Sequence, residues 1–507
     1  MAGCEVTYRS NELFSNNNQI DLQKNDIEFQ MHEILGRICS HSDCPFFDKK
    51  AFLRLYRHFN NLKNLEPLKW ESIQHVDDKH IKNYNRLIDP TEQAIGSGLS
   101  KLVVLKLNGG LGTSMNCQGT KSLIPVKNGK TFLEMNLQQI EDLNKQYNSN
   151  VPFVLMNSFN TDDETVEFLR RIQINQTKPI IFQQNRFPRL REESGLPIAN
   201  SCQLEELHDQ AWYPPGHGDV YRSLQNSGLL DRFIEEGKHW IFISNIDNIG
   251  AVPDLKILCW LEEQEKLDAE HRVDFLMEVA DKTPADRKGG TLAIHNGALK
   301  LLEIAQVPED HVKDFLDPEQ FKFFNTNNLW INIKALRNKL MDDELKLDLI
   351  VNKKTLKDGT KVIQLEEACG AAINCFKKPM GLRVPRSRFL PVKLTSDLLI
   401  LRSDLFESTT TGLKRSPQHI LPDLPTIEFS SHFKGVEDLE RRISDPPSMI
   451  HLRHLILNGN IRFGNNVTLK GRVEITPRTD EIFLIPDGVI LEDTVITEPI
   501  QGHNDSF

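Results

Sequence analysis

Residues 101–140 read KLVVLKLNGGLGTSMNCQGTKSLIPVKNGKTFLEMNLQQI. KLVVLKL is an apolar run of strand length. A loop with Gly109, Gly110, Gly112 and Gly119 follows, then Lys121, then a helical pattern starting near Thr131. Strand, glycine loop and helix in that order make the front of a βα unit. Glycines allow tight turns and close backbone approach, so N–H groups in such a loop are able to face an anion. Lys121 adds a mobile positive charge. The spacing fits neither the G-x-x-x-x-G-K-[ST] phosphate loop nor the dinucleotide G-x-G-x-x-G pattern, so ATP hydrolysis and hydride transfer both lose ground. A glycine-rich turn with no ligand is the plain alternative.

Working outward, strand-like runs recur as VPFVLM, KPIIF, HWIFISNI and VDFLMEV, separated by the helical candidates TFLEMNLQQIEDLNKQY, DDETVEFLRRI and PDLKILCWLEEQEKLD. This alternation predicts an α/β fold with a mostly parallel or mixed sheet covered on both faces. Upstream, IEFQMHEILGRIC and KKAFLRLYRHFNNL space apolar residues by three and four, which predicts a helical N-terminal arm over residues 1–85. The first residues lack a basic segment followed by an apolar core, so no signal peptide is read there and disorder is expected. From about Met449 isolated Ile, Val and Leu recur between Gly and Asn, as in HLRHLILNGNIRFGNNVTLKGRVEI. These short rungs predict a small β-helix or stacked β-module, with a simple β-sandwich as the alternative. The expected division is residues 1–85, a catalytic unit at 86–410, and a linker with the β-module at 411–507.

The 507 residues suit two to four domains at roughly 150 residues each. Lys plus Arg 61 against Asp plus Glu 71 gives 61 − 71 = −10. Such a surface repels polyanions, and the chain has no basic stripe with interleaved aromatics, so nucleic-acid binding is not expected. No run reaches the ~20 apolar residues of a membrane span. Eight scattered cysteines (4, 39, 44, 117, 202, 259, 369 and 375) read as free thiols in a reducing cytoplasm, and Cys39 with Cys44 does not make a zinc set.

Several polar positions are candidates for chemistry. IFQQNRFPRL places Gln184 just after a strand, where its amide is able to donate and accept together, as a pyrimidine edge requires. Arg186 and Arg189 would position phosphate or pair with acids. YPPGHGDVY presents Gly216 and His217 on a constrained loop. HWIFISNIDNIG ends a strand in Asn245 and Asp247, at the edge where α/β sheets bind ligands. Asp247 is a hard oxygen ligand suited to Mg²⁺. KGGTLAI offers the backbone N–H groups of Gly289 and Gly290, while FNTNNLWIN offers Asn325, Asn327 and Asn328 as hydroxyl readers. Glu366 is a further candidate, and Lys393 follows a strand-like FLPV run.

LNGGLGTSMNCQGTKSLI, IFQQNRFPRL, YPPGHGDVY, ISNIDNIG, FNTNNLWIN and RSRFLPVKLTSDLL, in this order, closely resemble the eukaryotic type of UTP-glucose-1-phosphate uridylyltransferase, over nearly the whole chain. The resemblance implies a Rossmann-like nucleotidyltransferase domain with a mixed sheet, a helical N-terminal region and a C-terminal left-handed β-helix. It implies a cytoplasmic enzyme that condenses UTP with glucose 1-phosphate using Mg²⁺, with the β-helix as an element through which members form homo-oligomers. It assigns Leu107, Asn108, Gly109, Gly110, Lys121, Gln184, Gly216, Asn245, Asp247 and Lys393 to the nucleotide. His217, Gly289, Gly290, Asn325, Asn327, Asn328 and Glu366 go to the sugar phosphate, Asp247 to the metal, and Lys121, Lys393 and Asp247 to catalysis. Two loop positions depart from the family pattern, Asn116 where Gly is usual and Thr120 where Pro is usual. The alternatives are a UDP-N-acetylhexosamine pyrophosphorylase, which usually carries Arg where Ser114 stands, and a weakly active structural homologue.

Overall fold

Leu102–Asn108 forms a strand buried along its whole length, as expected of a central parallel strand covered on both faces. Successive side chains leave opposite faces of a strand. Val103, Leu105 and Leu107 accordingly enter one apolar core with Val154, Met156, Ile241 and Ile243. Leu102 and Val104 enter another with Phe153, Leu155, Trp240 and Phe242. The computed structural model describes residues 17–39, 46–62, 68–77, 79–117, 119–172, 177–199, 210–268, 271–283, 286–409 and 412–499. Residues 1–16 and Cys4, Cys44 and Cys202 lie outside them; the sequence reading expects disorder over residues 1–26, but residues 17–26 begin the helix Asn17–Ile38.

The main sheet runs, edge to edge, Ile81–Asn83, Pro379–Arg383, Phe275–Asp281, Phe323–Asn332, Trp240–Asn245, Leu102–Asn108, Phe153–Asn157 and Ile180–Gln183. Every neighbouring pair is parallel except those made by Phe323–Asn332, which is antiparallel to both its neighbours. The sheet is therefore mixed. From Leu102–Asn108 the chain builds outward through Phe153–Asn157 to Ile180–Gln183, then returns to Trp240–Asn245 on the other side. Strand order reverses between the ends of Leu102–Asn108 and Trp240–Asn245, the switch point where open α/β sheets form a ligand crevice.

The helix after the glycine loop, Phe132–Gln146, starts on a capping box in which the Glu134 N–H donates to Thr131 Oγ1 at 3.2 Å and the Thr131 N–H to Glu134 Oε2 at 2.8 Å. These bonds satisfy backbone donors that a helix start leaves open. The N-terminal helices Asn17–Ile38 and Lys49–Leu62 are present. Phe52, Leu55 and Tyr56 pack with Phe187, Trp212 and Leu365, and Arg54 forks onto Glu367 at 3.0 and 3.1 Å. Within the span read as the arm, Ile73–Gln74 and Ile81–Asn83 extend the main sheet.

At the C-terminal end Thr426–Phe429, Ser448–Leu457, Thr468–Ile475 and Ile490–Ile496 form one parallel sheet. Ile461–Phe463 and Phe483–Ile485 form a second. Long and short strands alternate along the chain and each pairs with its counterpart in the next coil, so the module is a parallel stack and the sandwich alternative falls. Its apolar interior is continuous with Met115 and Ile124 of the glycine-loop region. The FLPV run does not form a strand. Residues 386–388 make a 3₁₀ turn and Pro391 makes an isolated bridge with Asn248, because Pro cannot donate to a ladder.

Candidate active site at the sheet's carboxyl edge

Two loops leave the switch point together. Leu107 pairs with Asn245 in register, and the Ile246 N–H donates to the Leu107 carbonyl at 3.3 Å. This register carries Gly109 and Gly110 out beside Asp247. The glycine loop then folds on itself: the Lys121 N–H donates to the Gly110 carbonyl at 3.2 Å and the Gly112 N–H to the Gly119 carbonyl at 3.4 Å. Lys121 is thereby turned inward, and its Nζ meets the Asp247 carboxylate. Both side chains keep a sixth or so of their surface, 17% and 16%.

Gly109 explains part of the loop's composition. A Cβ there would lie 2.3 Å from Gln184 Nε2, so glycine alone allows Gln184 to close on the loop. Gln184 is buried and its Oε1 has no partner, an acceptor whose burial costs free energy until a donor meets it. Asn108 supplies backbone, since its amide is turned inward to Asn157 at 2.8 Å and Thr165 at 3.0 Å. Thr120 has φ −63°, a value proline would share, but its N–H donates to Glu164 at 2.7 Å. Asn116 takes φ +51°, the left-handed conformation that Asn tolerates better than most residues.

His217 stands in a 3₁₀ turn after Gly216, whose φ is +83°. A Cβ at Gly216 would meet the Glu367 carbonyl at 2.6 Å, so both the dihedral and the space demand glycine. Nδ1 of His217 accepts the Cys369 N–H at 3.0 Å. This places the ring proton of the neutral imidazole on Nε2, toward the cleft. The residue keeps open surface to the cleft, yet desolvation by the surrounding protein pushes its pKa down to about 4. The hydrogen bond from Cys369 favours the same neutral state.

Asn327 links the two halves of the cleft. Its Nδ2 donates to Asn245 at 3.0 Å, its Oδ1 accepts from the Cys369 thiol at 3.2 Å, and its own N–H donates to Asn325 at 2.9 Å. Its φ of +60° sits where pairing with Phe275–Asp281 shifts register. Such a bulge re-aims side chains.

Two expectations for the sugar half need correction. Asn328 is fully buried, with its amide donated to Glu278 at 3.1 Å and to the Arg388 carbonyl at 3.2 Å, so it holds the core rather than reading a hydroxyl. The Gly289 N–H is committed to the Asp286 carbonyl at 2.9 Å. Glu366 packs on Gly216, beside the His217 turn, and accepts from Asn352 at 3.1 Å. Arg186 stacks on Trp212 and Arg189 donates to the Trp212 carbonyl at 2.7 Å.

Sequence reasoning missed a carboxylate here. A Cβ on Gly290 would lie 2.5 Å from Glu303 Oε1. Burial pushes the Glu303 pKa up to about 7 against the opposing charge of Lys393. Asp397, also raised by burial, accepts the N–H groups of Lys393 and Leu394 at 2.7 and 2.8 Å and feels the charges of both Lys393 and Lys121. The Ser114 hydroxyl of the glycine loop donates to the Lys393 carbonyl at 2.8 Å, so the segments that carry the two lysines meet. Glu303 caps the 3₁₀ turn Ile304–Gln306 and carries no motif of its own, and only the hairpin Thr291–His295 with Ala298–Leu302 brings it back to Gly290.

Known proteins resemble this chain over most of its length. A family model for UTP–glucose-1-phosphate uridylyltransferase matches residues 49–470. The chain belongs to this family. A uridylyltransferase from Hordeum vulgare is 44% identical over 454 residues, covering 89% of this chain and 93% of the relative. The Saccharomyces cerevisiae enzyme is 44% identical over 455 residues, covering 89% of each. Among solved structures, a mutant UDP-glucose pyrophosphorylase from Leishmania major in complex with UDP-Glc superposes with a TM-score of 0.80 at 32% identity, over 92% of this chain and 99% of that one. A Trypanosoma brucei UDP-glucose phosphorylase gives 0.78 at 35%, over 92% and 98%. The fold found here is thus the fold of solved UDP-glucose pyrophosphorylases.

Proposed function

We propose that this chain transfers the uridylyl group of UTP to α-D-glucose 1-phosphate, giving UDP-glucose and pyrophosphate by direct in-line displacement. The observation that carries the reading is the meeting of Lys121 and Asp247 at the switch point, with Gln184 closing one side and Lys393 facing in from the other. A phosphate oxygen of glucose 1-phosphate forms a bond to the α-phosphorus while the bond from that phosphorus to the α,β-bridging oxygen breaks, and pyrophosphate leaves with the electron pair. The nucleophile is already ionised near neutral pH, so His217 need not act as a base. Its Nε2–H donates to phosphate instead. Lys121 and Lys393 hold and neutralise the phosphates, so catalysis is alignment and electrostatics.

Gln184, with a buried acceptor lacking a partner, reads the uracil edge, and Leu107, Gly109 and Gly110 line the nucleotide. Glu303, Gly290, Asn325 and Asn327 face the hexose. Among the described residues no three His, Cys, Asp or Glu side chains gather as a metal cage. This donor set fits Mg²⁺, which takes one or two carboxylates plus phosphate oxygens and water, and Asp247 would hold it. When bound, Mg²⁺ neutralises charge gathering on the leaving pyrophosphate.

No helix among the described residues is long and apolar enough to cross a membrane, and the five described cysteines are free. A cytoplasmic enzyme accords with both. The parallel stack is read as a left-handed β-helix, and Leu484, Ile490 and Val495, all exposed on it, suit association between copies. The test is release of pyrophosphate with UTP and Mg²⁺, comparing glucose 1-phosphate with N-acetylglucosamine 1-phosphate. No release with either sugar defeats the reading, and faster release with the acetamido sugar transfers it to the N-acetylhexosamine class.

A further inference from the structure

We infer that Asp219 is a positioning residue for base recognition: its buried carboxylate holds Asn185, and with it the neighbouring Gln184, in fixed register with the His217 turn. The inference rests on the uridylyl-transfer reading above, and it gives a role to a motif residue to which neither the sequence reading nor the mechanism assigns one.

Asp219 closes the 3₁₀ turn His217–Asp219 and is 4% exposed. Four contacts converge on its two oxygens. The Asn185 N–H donates to Oδ2 at 2.7 Å, Asn185 Nδ2 to Oδ1 at 2.8 Å and to Oδ2 at 3.1 Å, and Ser223 Oγ to Oδ2 at 2.5 Å. Charge-assisted bonds of this kind are the stronger ones, and in a buried setting they fix geometry. Both ends of the clamp lie in candidate substrate loops. Asn185 follows Gln184 directly, at the end of the sheet's edge strand Ile180–Gln183. An edge strand is held from one side only, so its last residues need another anchor.

A second bond shows that Asn185 is a junction. Its Oδ1 accepts the Asp48 N–H at 3.2 Å, and Asp48 Oδ2 accepts from Asn226 at 3.3 Å. The amide therefore has its donors committed to Asp219 and its acceptor to the N-terminal arm, which leaves no freedom to flip. Gln184, by contrast, has a buried oxygen without a partner. The clamp saturates one residue so that the next is held ready for a ligand.

Asp219→Asn keeps the size but turns one acceptor into a donor facing N–H and O–H groups. We expect it to raise the KM for UTP by about tenfold or more, to leave the KM for glucose 1-phosphate within about twofold, and to narrow the preference for UTP over CTP. Asn185→Ala, which cuts the same link from the other side, should do likewise. In a Gln184→Ala background neither change should weaken UTP further, because the residue they position is gone. UTP binding is measured by calorimetric titration beside turnover, with circular dichroism reporting the folded fraction. A wild-type protein that binds UTP but releases no pyrophosphate defeats the transfer reading, while the clamp is still judged by titration. Unchanged UTP affinity and UTP/CTP preference in both folded variants, or losses that simply add to that of Gln184→Ala, would overturn the clamp.

Discussion

Two carboxylate–cation pairs lie one layer apart in this molecule and serve opposite ends. Glu278 is fully buried and forks onto Arg388 at 2.6 and 2.7 Å. Its remaining lone pairs take the Trp330 indole N–H at 2.9 Å and the Asn328 amide at 3.1 Å. Arg388 in turn reaches the Val252 carbonyl at 3.0 Å and lies 3.6 Å from Asp254. Lys121 and Asp247, at the carboxyl edge, have each other and open surface. The first pair is saturated, so it fixes the chain that leads to Lys393. The second is under-used, so under the proposed function phosphate and metal would displace one partner from the other. A pair's bonding capacity left over, more than its charge, separates a structural bridge from a site.

Breaking the edge pair is the largest test. Lys121→Ala or Asp247→Ala should lower turnover by roughly a thousandfold or more while the melting temperature stays near that of the wild type. Equal damage to stability and turnover would erase the contrast. Arg388→Ala should do the reverse in origin: it strands a buried carboxylate, costs about 3–5 kcal/mol, and shows as a large loss in urea midpoint. Activity would follow only as far as the folded fraction.

Between these lies the sugar half. Gly290→Ala drives a methyl onto Glu303 and should raise the KM for glucose 1-phosphate about tenfold with little change for UTP. A rise confined to UTP would place Gly290 and Glu303 elsewhere. Glu303 also predicts a pH effect on stability. Its folded pKa is raised to about 7, so the native state holds a proton that the unfolded chain has already released. Stability therefore falls as pH rises from about 4.5 to 7, and Glu303→Gln should flatten that part of the curve in denaturant titrations. The smallest effect is expected from Thr120→Pro. The backbone already has a proline-compatible φ, so the lost N–H bond to Glu164 is offset by reduced chain entropy. UTP affinity should change by less than about threefold.

Much of the fold was legible because its signals are local. Apolar runs of strand length, the helical spacing from Thr131 and the glycine loop each need only near neighbours, and the strands and helices they announce are present. Legibility failed where a residue's role depends on which face or partner the chain later supplies. Asn325, Asn327 and Asn328 look equivalent in FNTNNLWIN, yet a bulge sends Asn328 into the core beside Glu278. Glu303 caps a short 3₁₀ turn, and only a hairpin sets it against Gly290. Asp219 stood beside His217 in the same motif without signalling its carboxylate's partner 34 residues away.

By itself the sequence determined the α/β alternation, the glycine-rich loop and the identity of the charged groups, since spacing and side-chain chemistry are properties of short segments. Only the tertiary structure decided which cation meets which carboxylate, because burial and hydrogen-bond saturation depend on contacts between distant segments. That is why Lys121 and Asp247 are left open at the sheet edge while Arg388 and Glu278 are closed beneath it.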